Sequence, residues 1–126
     1  YKDRTKFRLA ETYLLLAEAY LRQNMPDKAA DAVNEVRRRA KAADVSDDEM
    51  TMDYLLDERI RELYGEESRR FTLVRTGKLI ERVKKYNPEA RDLIQDFHVL
   101  WPIPQAVRDA NTGEFPQNPG YEGYEG

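Results

Sequence analysis

The feature that most constrains this chain is a spacing of aromatic and small residues: Tyr13, Leu16, Ala17 and Tyr20, then Ala29 and Val33. Residues three, four and seven apart share one face of a helix. Tyr13 and Tyr20 therefore sit two turns apart with Ala17 between them. Ala17 and Ala29 are small enough for two helices to cross closely, and the tyrosines fill the space beside that crossing. The surrounding stretch, residues 7–23, is dense in Leu, Ala, Glu and Arg, which are good helix formers. Its polar positions Arg8, Glu11, Glu18 and Arg22 form a narrow stripe, and Leu9, Tyr13, Leu14, Leu16, Ala17, Tyr20 and Leu21 occupy the rest. A helix apolar on most sides is a packed, central one.

Asn24, Met25 and Pro26 break this helix. Pro26 suits the first turn of a second one, where a missing N–H costs nothing, and Asp27 adds a favourable negative charge there. The second helix is expected over residues 26–42, with Ala29, Val33, Val36 and Ala40 inward and Arg37, Arg38 and Arg39 near its end. The pair matches the tetratricopeptide pattern, an aromatic, Leu, a small residue and Tyr on one helix, then Ala-x3-apolar on the next. The proline that closes the consensus repeat is missing. An ordinary antiparallel hairpin fits the same residues. Either way one repeat cannot bury its own faces, and neighbours must supply the rest.

Further helices are expected at residues 52–64 and from residue 67 to 86, a pair of similar length without the consensus. Asp57 and Arg61 are spaced to pair, Gly65 is a stop, and Gly77 is a candidate interruption of the second member. Residues 44–48 form a polar loop. Asn87-Pro88 marks a turn, followed by a short amphipathic segment with Leu93, Ile94 and Phe97. In Leu100-Trp101-Pro102-Ile103-Pro104, Trp101 and Ile103 each precede a proline, which biases them to extended backbone. Residues 111–126, rich in Gly, Pro, Asn, Glu and Tyr, are expected to be irregular and packed down by their aromatics. The expected fold is therefore all-α, tetratricopeptide-like antiparallel helical hairpins with an irregular Pro/Gly-rich C-terminal tail. Residues 1–126 are expected to form a single helical-repeat domain, a fragment of a longer chain.

Composition narrows the function. Charged residues make up 36% of the chain and the net charge is -3, so no basic field favours nucleic acid. There is no cysteine, hence no disulfide or thiolate metal site. No apolar run approaches the ~20 residues needed to cross a bilayer. Glu58, Glu62, Glu66 and Glu67 cluster near the end of the third helix, and a carboxylate pair can do acid–base work on glycosides. Here they alternate with Arg59, Arg61, Arg69 and Arg70, which hold them ionised, so ion pairs are expected instead. His98 is the lone histidine and has no second ligand beside it for a transition metal. Asp47, Asp48 and Glu49 lack the spacing and glycine of a calcium loop. No phosphate loop or nucleophile elbow occurs. No catalytic or metal residue and no cofactor is assigned. Trp101, Tyr121 and Tyr124 lie in irregular segments, where aromatics can stack on sugar rings. The competing expectation is that Trp101 plugs the helical core and Tyr121 anchors the tail.

Several segments in order resemble the SusD/RagB family. They are Arg8-Leu9-Ala10-Glu11-Thr12-Tyr13-Leu14 leading to Ala17-Glu18-Ala19-Tyr20; Asn34-Glu35-Val36-Arg37-Arg38-Arg39-Ala40; Leu56-Asp57-Glu58-Arg59-Ile60-Arg61-Glu62-Leu63 with Gly65-Glu66, Arg69 and Leu73-Val74-Arg75-Thr76-Gly77-Lys78-Leu79; and Leu100-Trp101-Pro102-Ile103-Pro104 with Gln117-Asn118-Pro119-Gly120-Tyr121. The resemblance is to the family's C-terminal region and covers nearly the whole chain. Thr72 stands where the family commonly has an acid. The resemblance implies a non-enzymatic, cell-surface lipoprotein of Bacteroidetes-type outer membranes that binds oligosaccharides and covers a SusC-like TonB-dependent transporter. It implies that these helices are mainly scaffold and partner surface, and it identifies no ligand-binding residue, because glycan contacts come mostly from variable loops. A stand-alone tetratricopeptide-like protein-interaction module remains the alternative. Glu11 and Glu18 lie among the matched positions on a mostly buried helix, and they are expected to pair with arginines such as Arg59 or Arg69.

Overall fold

The computed structural model describes residues 7–123, which fold into helices joined by turns and extended connections; the last Tyr-Glu-Gly, with Tyr124, lies outside them. No strand occurs among the described residues. The chain divides into two compact units, Tyr1–Ser68 and Arg69–Gly126.

The first unit holds α1 (Leu9–Arg22), α2 (Pro26–Arg39) and α3 (Met52–Glu62). α1 packs chiefly on α2 and also on α3. A connection this short between α1 and α2 makes them antiparallel neighbours. Asn24 adopts a left-handed backbone at φ 55°, and Met25 N–H donates back to Tyr20 C=O at 3.0 Å. That hydrogen bond closes the helix end and turns the chain into α2, whose first residue is Pro26 as expected. α2 ends at Arg39, three residues earlier than the sequence suggested, just before a second left-handed residue, Lys41, φ 57°.

Ala10, Leu14 and Ala17 from α1 meet Ala29, Ala30, Val33 and Val36 from α2, and Val45, Met50, Leu55 and Leu63 close the core. Ala17 and Ala29 are both 0% exposed, which confirms the close crossing inferred from their size. Asn34, buried on α2, donates from Nδ2 to Val45 C=O at 3.0 Å and accepts Val45 N–H on Oδ1 at 2.8 Å. It supplies the connection to α3 with the backbone partners it lacks. Thr51 caps α3 by accepting Tyr54 N–H at 3.1 Å.

The second unit holds α4 (Arg69–Arg75), α5 (Leu79–Tyr86) and the short α6 (Gln105–Asp109). The helix expected from residue 67 to 86 is broken. Gly77, at φ 71°, ends α4, with Lys78 N–H donating to Leu73 C=O at 2.8 Å. Asn87 opens the expected turn by accepting the N–H groups of Glu89 and Ala90 at 3.1 Å each. A single 3-10 turn, Asp96–Val99, precedes the extended residues 100–104. α6 was not anticipated, because its few residues carry no apolar period.

Candidate functional site

The acidic cluster at the end of α3 forms a guanidinium–carboxylate network, as the alternation of Glu and Arg implies. Arg59 is 1% exposed and its Nε donates to Glu67 at 2.9 Å. Glu11 approaches the same guanidinium at 3.8 Å, so the anticipated Glu11–Arg59 contact exists but is the longer one. Glu18 pairs with Arg22 at 3.0 Å, one turn along α1. Glu58 receives Arg37 from α2 at 2.8 Å and Arg61 from its own helix at 2.7 Å. Glu62 receives Arg8 at 2.8 Å and Arg39 at 2.7 Å, and Arg8 also forks onto Glu66 at 2.6 Å. Arg8, Arg37 and Arg39 are partners that local spacing could not supply.

The electrostatics oppose acid catalysis. The Arg8 hydrogen bond holds the Glu66 carboxyl below its ordinary pKa, and Glu66 with Glu62 raises that of the guanidinium. Ser46 does the same to Glu49, first through its hydroxyl and then through its backbone N–H. A general acid on a glycoside needs the reverse shift. Asp47, Asp48 and Glu49 form a 3-10 turn in which Glu49 and Ser46 cap each other. No group of three or more His, Cys, Asp or Glu side chains placed to hold a metal ion occurs among the described residues. His98 accepts Gln95 N–H on Nδ1 at 2.8 Å and lies against the Phe97 ring at 4.1 Å between centroids.

Two faces remain chemically open. On the α1/α2 hairpin, Leu9, Tyr13, Leu16 and Tyr20 form a stripe beside Lys28, Asp31, Glu35, Val36 and Arg39. Adjoining hollows of about 170 and 250 Å³ lie along it. This is the unpaired repeat face that the spacing predicts.

The other is the segment around Trp101. Gln117, buried, accepts Ile103 N–H at 2.7 Å and donates to Ile103 C=O at 2.9 Å. Asn118 Nδ2 donates to Trp101 C=O at 2.7 Å, and Tyr121 O–H to Leu100 C=O at 2.9 Å. Tyr121 also meets Phe97 edge-on at 5.0 Å, so it anchors the tail as expected. Gly120, at φ 87°, lies so close to the Phe97 ring that a methyl group there would collide with it. Trp101 is not the core plug expected from the sequence: it is 62% exposed, with the Arg70 guanidinium 4.4 Å from its ring centre. The tail binds the backbone on either side of Trp101, and its indole is left outside. Tyr124 lies outside the described residues. A further hollow of about 320 Å³ is lined by Arg108, Glu114, Phe115 and Pro116.

Comparison with known proteins places these features. The SusD family model matches residues 2–121. The chain is 35% identical over 113 residues to SusD-like protein P25 of Formosa agariphila, covering 81% of this chain and 21% of that protein. It is 35% identical over 125 residues to the starch-binding protein SusD of Bacteroides thetaiotaomicron, covering 92% of this chain and 21% of the relative. SusD-like protein P38 of Formosa agariphila is 32% identical over 108 residues, 77% of this chain and 20% of that protein. The chain thus spans about one fifth of the length of the curated relatives it matches. No solved structure gives a significant match.

Proposed function

From the premise that this chain belongs to the SusD family, we propose that it is a helical part of a cell-surface, glycan-binding component of a SusC/SusD-type outer-membrane uptake system. The observation that carries this is the family match over residues 2–121, together with a relative named for binding starch. The parent protein is a lipoprotein that captures oligosaccharides and delivers them to a SusC-like TonB-dependent transporter. It does no chemistry on them and requires no cofactor. Residues 1–126 form one helical-repeat domain of that protein, and they act mainly as scaffold and partner surface.

Physical features support the division of labour. Charged residues at the end of α3 are paired with others of the first unit, through Arg59–Glu67, Arg8–Glu62 and Arg37–Glu58. The α1/α2 stripe offers an apolar face of the kind repeats use against a neighbour. This face also favours the second reading, a stand-alone protein-interaction module, because a helix laid along Leu9, Tyr13, Leu16 and Tyr20 would fit it equally.

The test is a binding experiment on the parent protein. Immobilised starch and other polysaccharides should retain it, and purification from the native membrane should bring down a large β-barrel protein. Retention by no polysaccharide, with a soluble helical protein as the main companion, would favour the interaction module. Release of reducing sugar on incubation with a bound glycan would defeat the non-catalytic reading.

A further inference from the structure

Trp101 sits in an unusual physical situation. A large aromatic held in the open forgoes its burial energy, and here the backbone around it is fixed in place. Its own C=O is held by Asn118, that of Leu100 by Tyr121, and both polar groups of Ile103 by Gln117. Arg70 donates to the carbonyls of His98 and Leu100 while stacking on the indole. The neighbours of Trp101 are also apolar and open: Val99 is 39% and Leu100 43% exposed. Three successive exposed apolar residues on a pinned backbone form a preorganised contact surface, since little entropy remains to be lost when it is covered.

The chemistry indicates what covers it. A sugar stacked on an indole also needs polar groups at the rim for its hydroxyls. The Gln117, Asn118 and Tyr121 groups that the structure brings here already bond to backbone. What remains is apolar surface and one cation. Arg70 forms no ion pair among the described residues, and its Nε is buried without an acceptor. Covering it with apolar surface alone would strand a charge, so the occupant needs a carboxylate opposite Arg70. Tryptophan and arginine together are the residues most enriched at the energetic centres of protein contacts.

We propose that the Val99–Leu100–Trp101 surface docks against a protein segment of the same parent chain lying outside residues 1–126. That segment would present an apolar pocket for the indole and an acidic residue facing Arg70. The relatives support this choice of occupant, because about four fifths of their length lies outside the matched region. The inference rests on family membership and not on glycan binding, so it stands or falls separately from the uptake reading.

Hydroxyl-radical footprinting of the intact parent protein, without glycan or transporter, reads the surface directly. Docking predicts that Trp101 is strongly protected from oxidation. It also predicts that Trp101→Ser lowers the melting temperature by several degrees and that Arg70→Met lowers it less. The variant Ala19→Ser, exposed on α1, serves as a control that should leave melting unchanged. Full oxidation of Trp101 in the folded parent, with a neutral Trp101→Ser substitution, would overturn the proposal. Protection that appears only when starch is added, or only in complex with a transporter, would also overturn it by naming a different occupant. If Trp101→Ser does not fold, the footprint of the wild-type protein still decides.

Discussion

Gln117 grips Ile103 by both ends of its carboxamide, accepting the N–H at 2.7 Å and donating to the C=O at 2.9 Å. Its Oε1 also accepts Asn118 N–H at 2.9 Å. Asn34 holds Val45 in the same way in the other unit, at 2.8 and 3.0 Å. In both places an amide side chain does for an irregular segment what a neighbouring strand does in a sheet. A connection without secondary structure thereby becomes fixed.

Gln117→Leu is the direct test of the clamp. It keeps the size of the side chain and leaves the Ile103 and Asn118 groups without their partner. The expected loss of stability is about 1–3 kcal/mol for an unsatisfied buried group. Amide exchange at Ile103 should quicken more than exchange in α1. Unchanged exchange at Ile103 would show that the clamp is not what holds the segment.

Arg59→Met should be among the most damaging substitutions in the first unit. It removes the buried cation facing Glu67 and Glu11. Stranding a buried partner typically costs about 3–5 kcal/mol. Glu11→Gln should cost far less, because its contact is 3.8 Å long and partly open to water. Thermal unfolding of the two variants side by side checks the order.

Ala17→Leu puts a large side chain into the α1/α2 crossing, where Ala17 has no exposed surface. Overpacking of this kind costs about 1–3 kcal/mol. Ala19→Leu, on the exposed side of the same helix, should be nearly neutral. Equal melting temperatures for the two would contradict the close crossing.

Lys41 ends α2 in a left-handed conformation that a side chain disfavours. Lys41→Gly should therefore stabilise the protein, by up to about 1 kcal/mol. Denaturant midpoints measure the change, and a fall in the midpoint would count against the assigned conformation.

Acid should loosen the first unit through Glu66 and Glu49. Both carboxyls have pKa values below the ordinary 4.5, Glu66 through Arg8 and Glu49 through Ser46. A group whose folded pKa is depressed adds stability that is present above its unfolded pKa and lost as pH falls through the folded one. The contribution should be full at neutral pH, begin to fall near pH 4.5 and vanish at lower pH. Both groups are exposed, so the effect is small and weakens with salt. Glu66→Gln should flatten the acid limb of a stability–pH curve without moving the neutral plateau beyond that small term.

The sequence by itself determined the longer helices but not α6, and it determined the small-residue crossing of α1 on α2, the breaks at Pro26 and Gly77, and the ion-paired state of the acidic cluster. Each follows from periodicity or from a backbone preference that acts within a few residues. It also carried the family resemblance, which the match over residues 2–121 establishes. Tertiary structure alone decided which charges meet between elements. Arg8 finds Glu62 and Glu66 across 54 and 58 residues of chain, and no local spacing encodes that choice. It also decided the clamps of Asn34 on Val45 and Gln117 on Ile103, and it turned Trp101 outward where a core plug was expected. Extended backbone before a proline fixes the path of the chain but not which side of it the indole faces. The residues that grip the neighbouring carbonyls, Arg70 and Asn118, come from far along the sequence and settle that only once the chain has folded.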